Sequence, residues 1–251
     1  MTHASEPTAP EGNSGKKRNP VWAAVREILI VVVIALIISL VVKTFFFRAF
    51  YIPSGSMENT LQKNDRIFAN LMVPGPFELQ RGDVVVFRDD QGWLPPIAST
   101  VTNPVSEFMA FVGLMPDPSN QHLIKRIIGM PGDTVTCCAP DGKLTINGVS
   151  ITEPYIFEGD APSDQEFSKV VPEGKIWVMG DHRAESADSR YHEDLQGGFV
   201  DLDSVEGKAS VISWPLDRLG GISNYSEVFS SVPDPQGAAP AVNQPAEESG
   251  N

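Results

Sequence analysis

Cysteine and histidine are scarce in this chain: two of the first and four of the second among 251 residues. The cysteines, Cys137 and Cys138, are adjacent, so no framework of cross-links can staple the fold, and two neighbours cannot hold zinc without further ligands. There is no H-E-x-x-H, no glycine-rich phosphate loop and no internal repeat, so nothing points to a metal or an organic cofactor. Basic residues are also few, 19 against 32 acidic ones. Beyond residue 51 the ratio falls to 13 against 29, and a surface of that sign repels phosphate backbones, so nucleic acid is not expected as a partner. A trans peptide holds neighbouring Cα atoms about 3.8 Å apart, below the usual disulfide range, so Cys137 and Cys138 are expected as free thiols.

What the chain does have is one uninterrupted apolar run, "ILIVVVIALIISLVV", Ile28 to Val42. As a helix these 15 residues cover only about 22 Å of a hydrocarbon core of roughly 30 Å. The flanks complete the span: Val21 to Val25 on one side and Thr44 to Phe47 on the other, with Trp22 at an interface and Arg26 and Lys43 snorkelling. A buried helix of a soluble domain and a cleaved export signal are the alternatives. The second fails at the exit, because "KTFFFRAFY" (43 to 51) is bulky or charged where a cleavage site needs small side chains. Lys16, Lys17, Arg18 and Arg26 outnumber Lys43 and Arg48, so the N-terminus is expected in the cytoplasm and the rest of the chain outside. The localisation that follows is a single-pass plasma-membrane protein.

Residues 1–20 are polar and read as a disordered cytoplasmic tail, 21–47 as the anchor, 48–222 as the extracytoplasmic domain and 223–251 as a second disordered tail. Within the domain, "DRIFANLMV", "DVVVFR", "HLIKRIIGM", "DTVTCCA", "KLTINGVSI", "KIWVMGD" and "KASVISW" are strand-like, several of them fed by Gly-Asp turns. The fold class expected is mainly β, an antiparallel sheet preceded by one membrane helix.

Chemistry is suggested by "YIPSGSMENTL" (51 to 61), where Ser54 and Ser56 are either turn residues or one is a nucleophile. A serine hydroxyl attacks only when a neighbouring base takes its proton. Of His3, His122, His182 and His192, His182 with Asp181 or Asp188 offers a triad, but adjacent side chains in "GDHR" diverge on an extended backbone. Lysine serves instead if burial lowers its pKa. Lys125, within "LIKRIIG" and beside Leu123, Ile124, Ile127 and Ile128, is the one lysine past the anchor in apolar surroundings. A snorkelling edge lysine is the plain alternative.

Four segments in order, "PSGSMENTL", "RGDVVVF", "IKRIIGMPGD" and "GDHRAESADSR", together resemble the bacterial type I signal peptidases, membrane-bound serine proteases with a Ser/Lys dyad. The resemblance covers about 20 to 222. It implies Ser56 as nucleophile, Lys125 as general base, Ser54 as a donor to the oxyanion and Ser186 as the group that orients the lysine. It further implies Asp188 and Arg190 as a supporting ion pair that Arg126 joins, and Phe50, Ile52, Met57, Leu61 and Ile124 as the wall of a pocket for small side chains, the Ala-X-Ala pattern. No metal or cofactor is implied. The implied partners are signal peptides of exported preproteins, the lipid bilayer and the secretion translocon. A self-cleaving Ser/Lys regulator and a catalytically silent β domain that binds export partners are the competing readings.

Three residues depart from the family pattern. Asn59 replaces a usual proline and is expected to loosen a turn; His182 replaces a common asparagine; and Glu185, if it faced Lys125, would oppose the needed pKa shift. The stretch 139–172 is short, so a reduced second β subdomain is expected. In the insertion 89–121, "SEFMAFVGLMP" (106 to 116) is expected to form a helix capped by Ser106 that packs near the site or touches lipid.

Overall fold

The computed structural model describes residues 20–95 and 121–235; the helix expected within 106–116 lies outside them. Helix α1 runs Pro20–Phe45. It opens on proline, whose missing N–H costs nothing at a first helical position. Its 26 residues extend about 39 Å, and the stretch Ala24–Val42 has a mean hydropathy of 2.9. β-branched residues fill this helix because a helix satisfies its own backbone groups wherever water cannot.

From Val42 onward the chain forms a separate compact unit. Its larger sheet contains β1 (Phe47–Tyr51), β2 (Arg66–Asn70), β3 (Val84–Arg88) and β4 (His122–Gly129). A second, smaller sheet follows in sequence: β5 (Thr134–Cys137), β6 (Thr145–Ile146), β7 (Val149–Ser150) and β8 (Phe167–Val170). The chain then returns to the first sheet with β9 (Lys175–Met179), β10 (Val200–Asp201), β11 (Val205–Trp214) and β12 (Gly220–Gly221). The strand orders are β1-β2-β11-β3-β4-β9-β10, with β12 on β11, and β7-β6-β5-β8. Every pairing is antiparallel. The fold is thus mainly β, as the strand-like segments predict.

Strand β2 alternates, with Ile67 and Ala69 inward. β4 does not: from Ile124 to Gly129 every residue is buried. A strand covered on both faces needs no polar side. Ile124 enters a cluster with Ile52, Met57 and Leu61, Ile127 one with Val85, Phe87 and Val178, and Ile128 one with Val135, Trp177 and Phe229. Lys125 is therefore carried into the interior by the strand that packs all three clusters.

In the fold itself the structure departs from expectation in four places. The smaller sheet begins at Thr134 rather than 139. The folded chain continues past 222: helix α2 (Ser226–Phe229) brings Phe229 and Val232 into the core, because a few apolar residues at helical spacing suffice to dock a short segment. Cys137 and Cys138 are joined as a vicinal disulfide; their peptide is cis, and their Cα atoms stand 2.9 Å apart, a spacing the trans-based expectation does not allow. Asn59 ties a turn instead of loosening it. Its φ of 86° is closed to proline, whose ring holds φ near −65°, and its amide donates to the carbonyls of Tyr155 (3.0 Å) and Ile156 (3.2 Å).

Gly82 is where the α2 region meets the large sheet. Its φ is 88°, and a Cβ there would strike the Asn224 carbonyl and the Phe229 ring. Gly82→Ala is expected to cost about 2–4 kcal/mol, through left-handed strain and overpacking together, read as a lowered denaturant midpoint.

Candidate active site

The segment Ile52–Asp65 is a chain of tight turns. Glu58 N–H donates to the Gly55 carbonyl, Leu61 N–H to Met57, and Ile52 N–H to Asp65. Fully buried Met57 and Leu61 anchor it from beneath, and the Asp65 carboxylate accepts from Gln62 N–H and from the Arg218 guanidinium. This anchoring fixes Ser56, itself only 5% exposed.

Lys125 reaches it from β4. The Nζ stands 2.7 Å from Ser56 Oγ and 3.1 Å from the Ile124 carbonyl oxygen. Burial, partly offset by Asp188 and Asp181, lowers the Lys125 pKa from 10.5 to about 8. Desolvation is the ruling cause because a buried ammonium gives up its hydration. Ser54 is exposed and its Oγ lies 3.4 Å from Ser56 Oγ.

Around this pair the two carboxylates each have their own arginine. Asp188 receives Arg190 Nε at 2.8 Å and Nη2 at 2.9 Å, and Gly180 N–H at 3.0 Å. Burial pushes the Asp188 carboxyl up, yet the Arg190 contacts hold it below its ordinary value. Arg126 does not join this pair. It binds Asp181 in a bidentate fork, Nε at 2.8 Å and Nη2 at 2.7 Å, stacks over Tyr155 at 4.2 Å and donates to the Gly82 carbonyl. The reason is strand parity, since Arg126 leaves β4 on the face opposite Lys125.

Ser186 is buried, and its hydroxyl approaches the Asp188 carboxylate without forming an aligned hydrogen bond. The bond to the lysine amine that the resemblance implies is not formed in this geometry. Of the five apolar pocket residues, Ile52, Met57 and Leu61 are sealed in the core with Ile124 nearly so, while Phe50 is half-buried at the edge of the same cluster. Met57 and Leu61 thus support the serine turn and do not line an open wall in this conformation. Glu185 is exposed, which removes its objection to a low lysine pKa.

His182 makes no triad. Its backbone N–H donates to the Ser56 carbonyl (3.1 Å), while its ring stacks on Phe157 at 4.0 Å and lies 3.4 Å from Glu58 without hydrogen-bond alignment. Sequence reasoning missed three supporting residues. Asp181 and Thr60 join Arg126. Gly180 leaves room where a Cβ would strike the Ser56 carbonyl and the Ser186 side chain; its place inside "GDHR" was the only available signal. Among the described residues no group of three or more His, Cys, Asp or Glu could hold a metal ion.

The family model "Signal peptidase, peptidase S26" matches residues 25–214. The chain belongs to this signal peptidase family. Its relatives within peptidase S26 include a Mycobacterium leprae protein named "Probable signal peptidase I", 36% identical over 84% of this chain and 82% of that one. The signal peptidase I of Mycobacterium tuberculosis is 35% identical over 81% and 77% of the two chains, and that of Bacillus licheniformis 32% over 83% and 97%. The chain is therefore a serine peptidase of the S26 family, and the Ser56–Lys125 contact lies within the matched region.

The buried amine is expected to make stability depend on pH. The unfolded chain holds the Lys125 proton up to about pH 10.5 and the folded chain releases it near 8, so the unfolded state binds more protons between these values and stability rises with pH across that window. Lys125→Met is expected to stabilise the protein at pH 7 by up to about 3 kcal/mol, a gain that shrinks toward pH 10.5 when thermal unfolding is followed across the range.

Proposed function

We propose that this chain is a membrane-anchored endopeptidase that removes N-terminal signal peptides from exported preproteins after a small-X-small site, with Ser56 as nucleophile and Lys125 as general base. The observation that carries this reading is the 2.7 Å separation of Nζ and Oγ, with an amine whose pKa is about 8. A charged amine donates to the hydroxyl; a neutral one accepts from it.

In that neutral state Lys125 takes the Oγ proton as Oγ attacks the scissile carbonyl. The oxyanion is received by the Ser56 N–H and the Ser54 hydroxyl. Collapse breaks the C–N bond, and the proton held by Lys125 passes to the departing amine of the mature chain. The Lys125 amine, neutral again, then takes a proton from water as that water attacks the acyl-serine; the ester C–O bond breaks, Ser56 Oγ receives the proton back from Lys125, and the signal peptide leaves with a new C-terminal carboxyl group. Asp188–Arg190 and Asp181–Arg126 hold the frame around the dyad.

Substrate docking is supported by the free edge of β4. β3 pairs with it from His122 to Arg126, but β9 joins only from Arg126 onward. Among the described residues the backbone of 122–125 is thus open on one side, the usual receptor for an extended peptide. Phe50 and Ile124 flank this edge. Helix α1 supplies the anchor, and the basic residues before it favour an N-terminus in the cytoplasm with residues 48 onward outside, facing substrates, bilayer and translocon.

With full-length protein in detergent micelles and a model preprotein, Ser56→Ala and Lys125→Met are each expected to lower kcat at least about 10³-fold. Full activity in either removes the dyad; an inactive parent favours the binding-module reading. The kcat/KM of the parent is expected to rise with pH and reach half its plateau near 8, the pKa of the free enzyme's base. Ser54→Ala is expected to lower kcat about 10²-fold with little change in KM, since its hydroxyl acts on charge that exists only in the transition state.

A further inference from the structure

Glu206 takes no part in the steps above, yet it gathers side chains from three strands near the free edge of β4. It projects from β11 at a register shift between Val205 and Gly207 and is only 11% exposed. One carboxylate oxygen accepts from Arg48 Nη1 on β1. The other stands 3.2 Å from His122 Nε2 on β4, at ion-pair distance though off the angle of a hydrogen bond, and 4.0 Å from Arg88 Nη1 on β3. Arg88 is mainly engaged elsewhere, with Asp90 at 3.1 Å.

The two main partners lie on strands that are not neighbours. β2, β11 and β3 separate β1 from β4 in the sheet. They meet nevertheless, since the Phe50 ring of β1 packs edge-on against the His122 ring of β4 with centroids 5.3 Å apart. β1 is an edge strand, paired only with β2 among the described residues, and an edge strand with one neighbour splays easily. Burial raises the Glu206 carboxyl, but His122 and Arg48 hold it below its ordinary value, so the carboxylate stays charged for both partners.

We propose that Glu206 is a positioning residue for substrate, clasping β1 to β4 through Arg48 and His122 and so fixing how Phe50 packs against the Ile124 cluster at the docking edge that receives the residues before the scissile bond. This rests on the docking edge of the proposed function. The clasp acts on how the peptide is gripped and does not touch the reacting atoms.

The test uses full-length protein in detergent micelles with two substrates: a peptide carrying at least six residues before its cleavage site, and p-nitrophenyl acetate, which occupies no groove. Glu206→Gln is expected to raise KM for the peptide about tenfold while kcat and ester hydrolysis stay within about twofold. Glu206→Asp should recover part of the loss. Arg48→Gln, at a half-exposed position, should raise KM about threefold, and it decides the matter if Glu206→Gln does not fold. Unchanged peptide KM in Glu206→Gln and Arg48→Gln overturns the clasp, as does a fall in kcat matched by a fall in ester hydrolysis, which marks a merely structural role. Ser56→Ala run alongside keeps the two ideas apart: peptide cleavage surviving in it refutes the dyad, while the KM comparison still reads the clasp.

Discussion

Burying the Lys125 amine beside a hydroxyl is the constraint around which the rest of this protein is arranged. An ammonium withdrawn from water is strongly disfavoured unless a carboxylate comes to it, and two carboxylates lie close enough to act on it through space. Neither forms a hydrogen bond with it. Asp188 is saturated by Arg190 and by Gly180 N–H, and Asp181 by Arg126. Each arginine thus spares the lysine a partner that would return it to an ordinary basic pKa, and Arg190 also lowers that pKa by its own charge.

Further polar contacts tie the serine turn and the strands around it together. Arg126 links β4 to Thr60, Asp181 and the Gly82 carbonyl, Arg183 binds Glu153 with both partners buried, and Asn59 reaches the carbonyls that follow Pro154. Buried ion pairs are weak sources of net stability, but removing one partner is costly. They suit a site in which two groups must stay within hydrogen-bond reach while neither is held covalently.

Much of this was legible in the chain. "DVVVFR" and "HLIKRIIGM" became β3 and β4 because short apolar runs bounded by turns admit few alternatives, and the lysine inside the second run is buried as its apolar neighbours suggested. Other features needed three dimensions. The partner of Arg126 is remote in sequence, and choosing between Asp181 and Asp188 required the face on which each side chain emerged. The packing of Phe229 and Val232 was hidden by the polar residues that surround them. The cis peptide between Cys137 and Cys138 has no local signature, and Asn59 resembled a loss until its backbone angle explained why proline would not fit.

The half-open edge of β4 also bears on what can be discriminated there. Main-chain donors and acceptors grip any extended chain with equal force, so choice has to come from side chains. In a pleated strand successive side chains point to opposite sides. A guest laid on residues 122–125 would turn alternate residues toward Phe50 and Ile124 and the intervening one away, so an every-other-position preference is inherent in the pleat before any wall is shaped to enforce it.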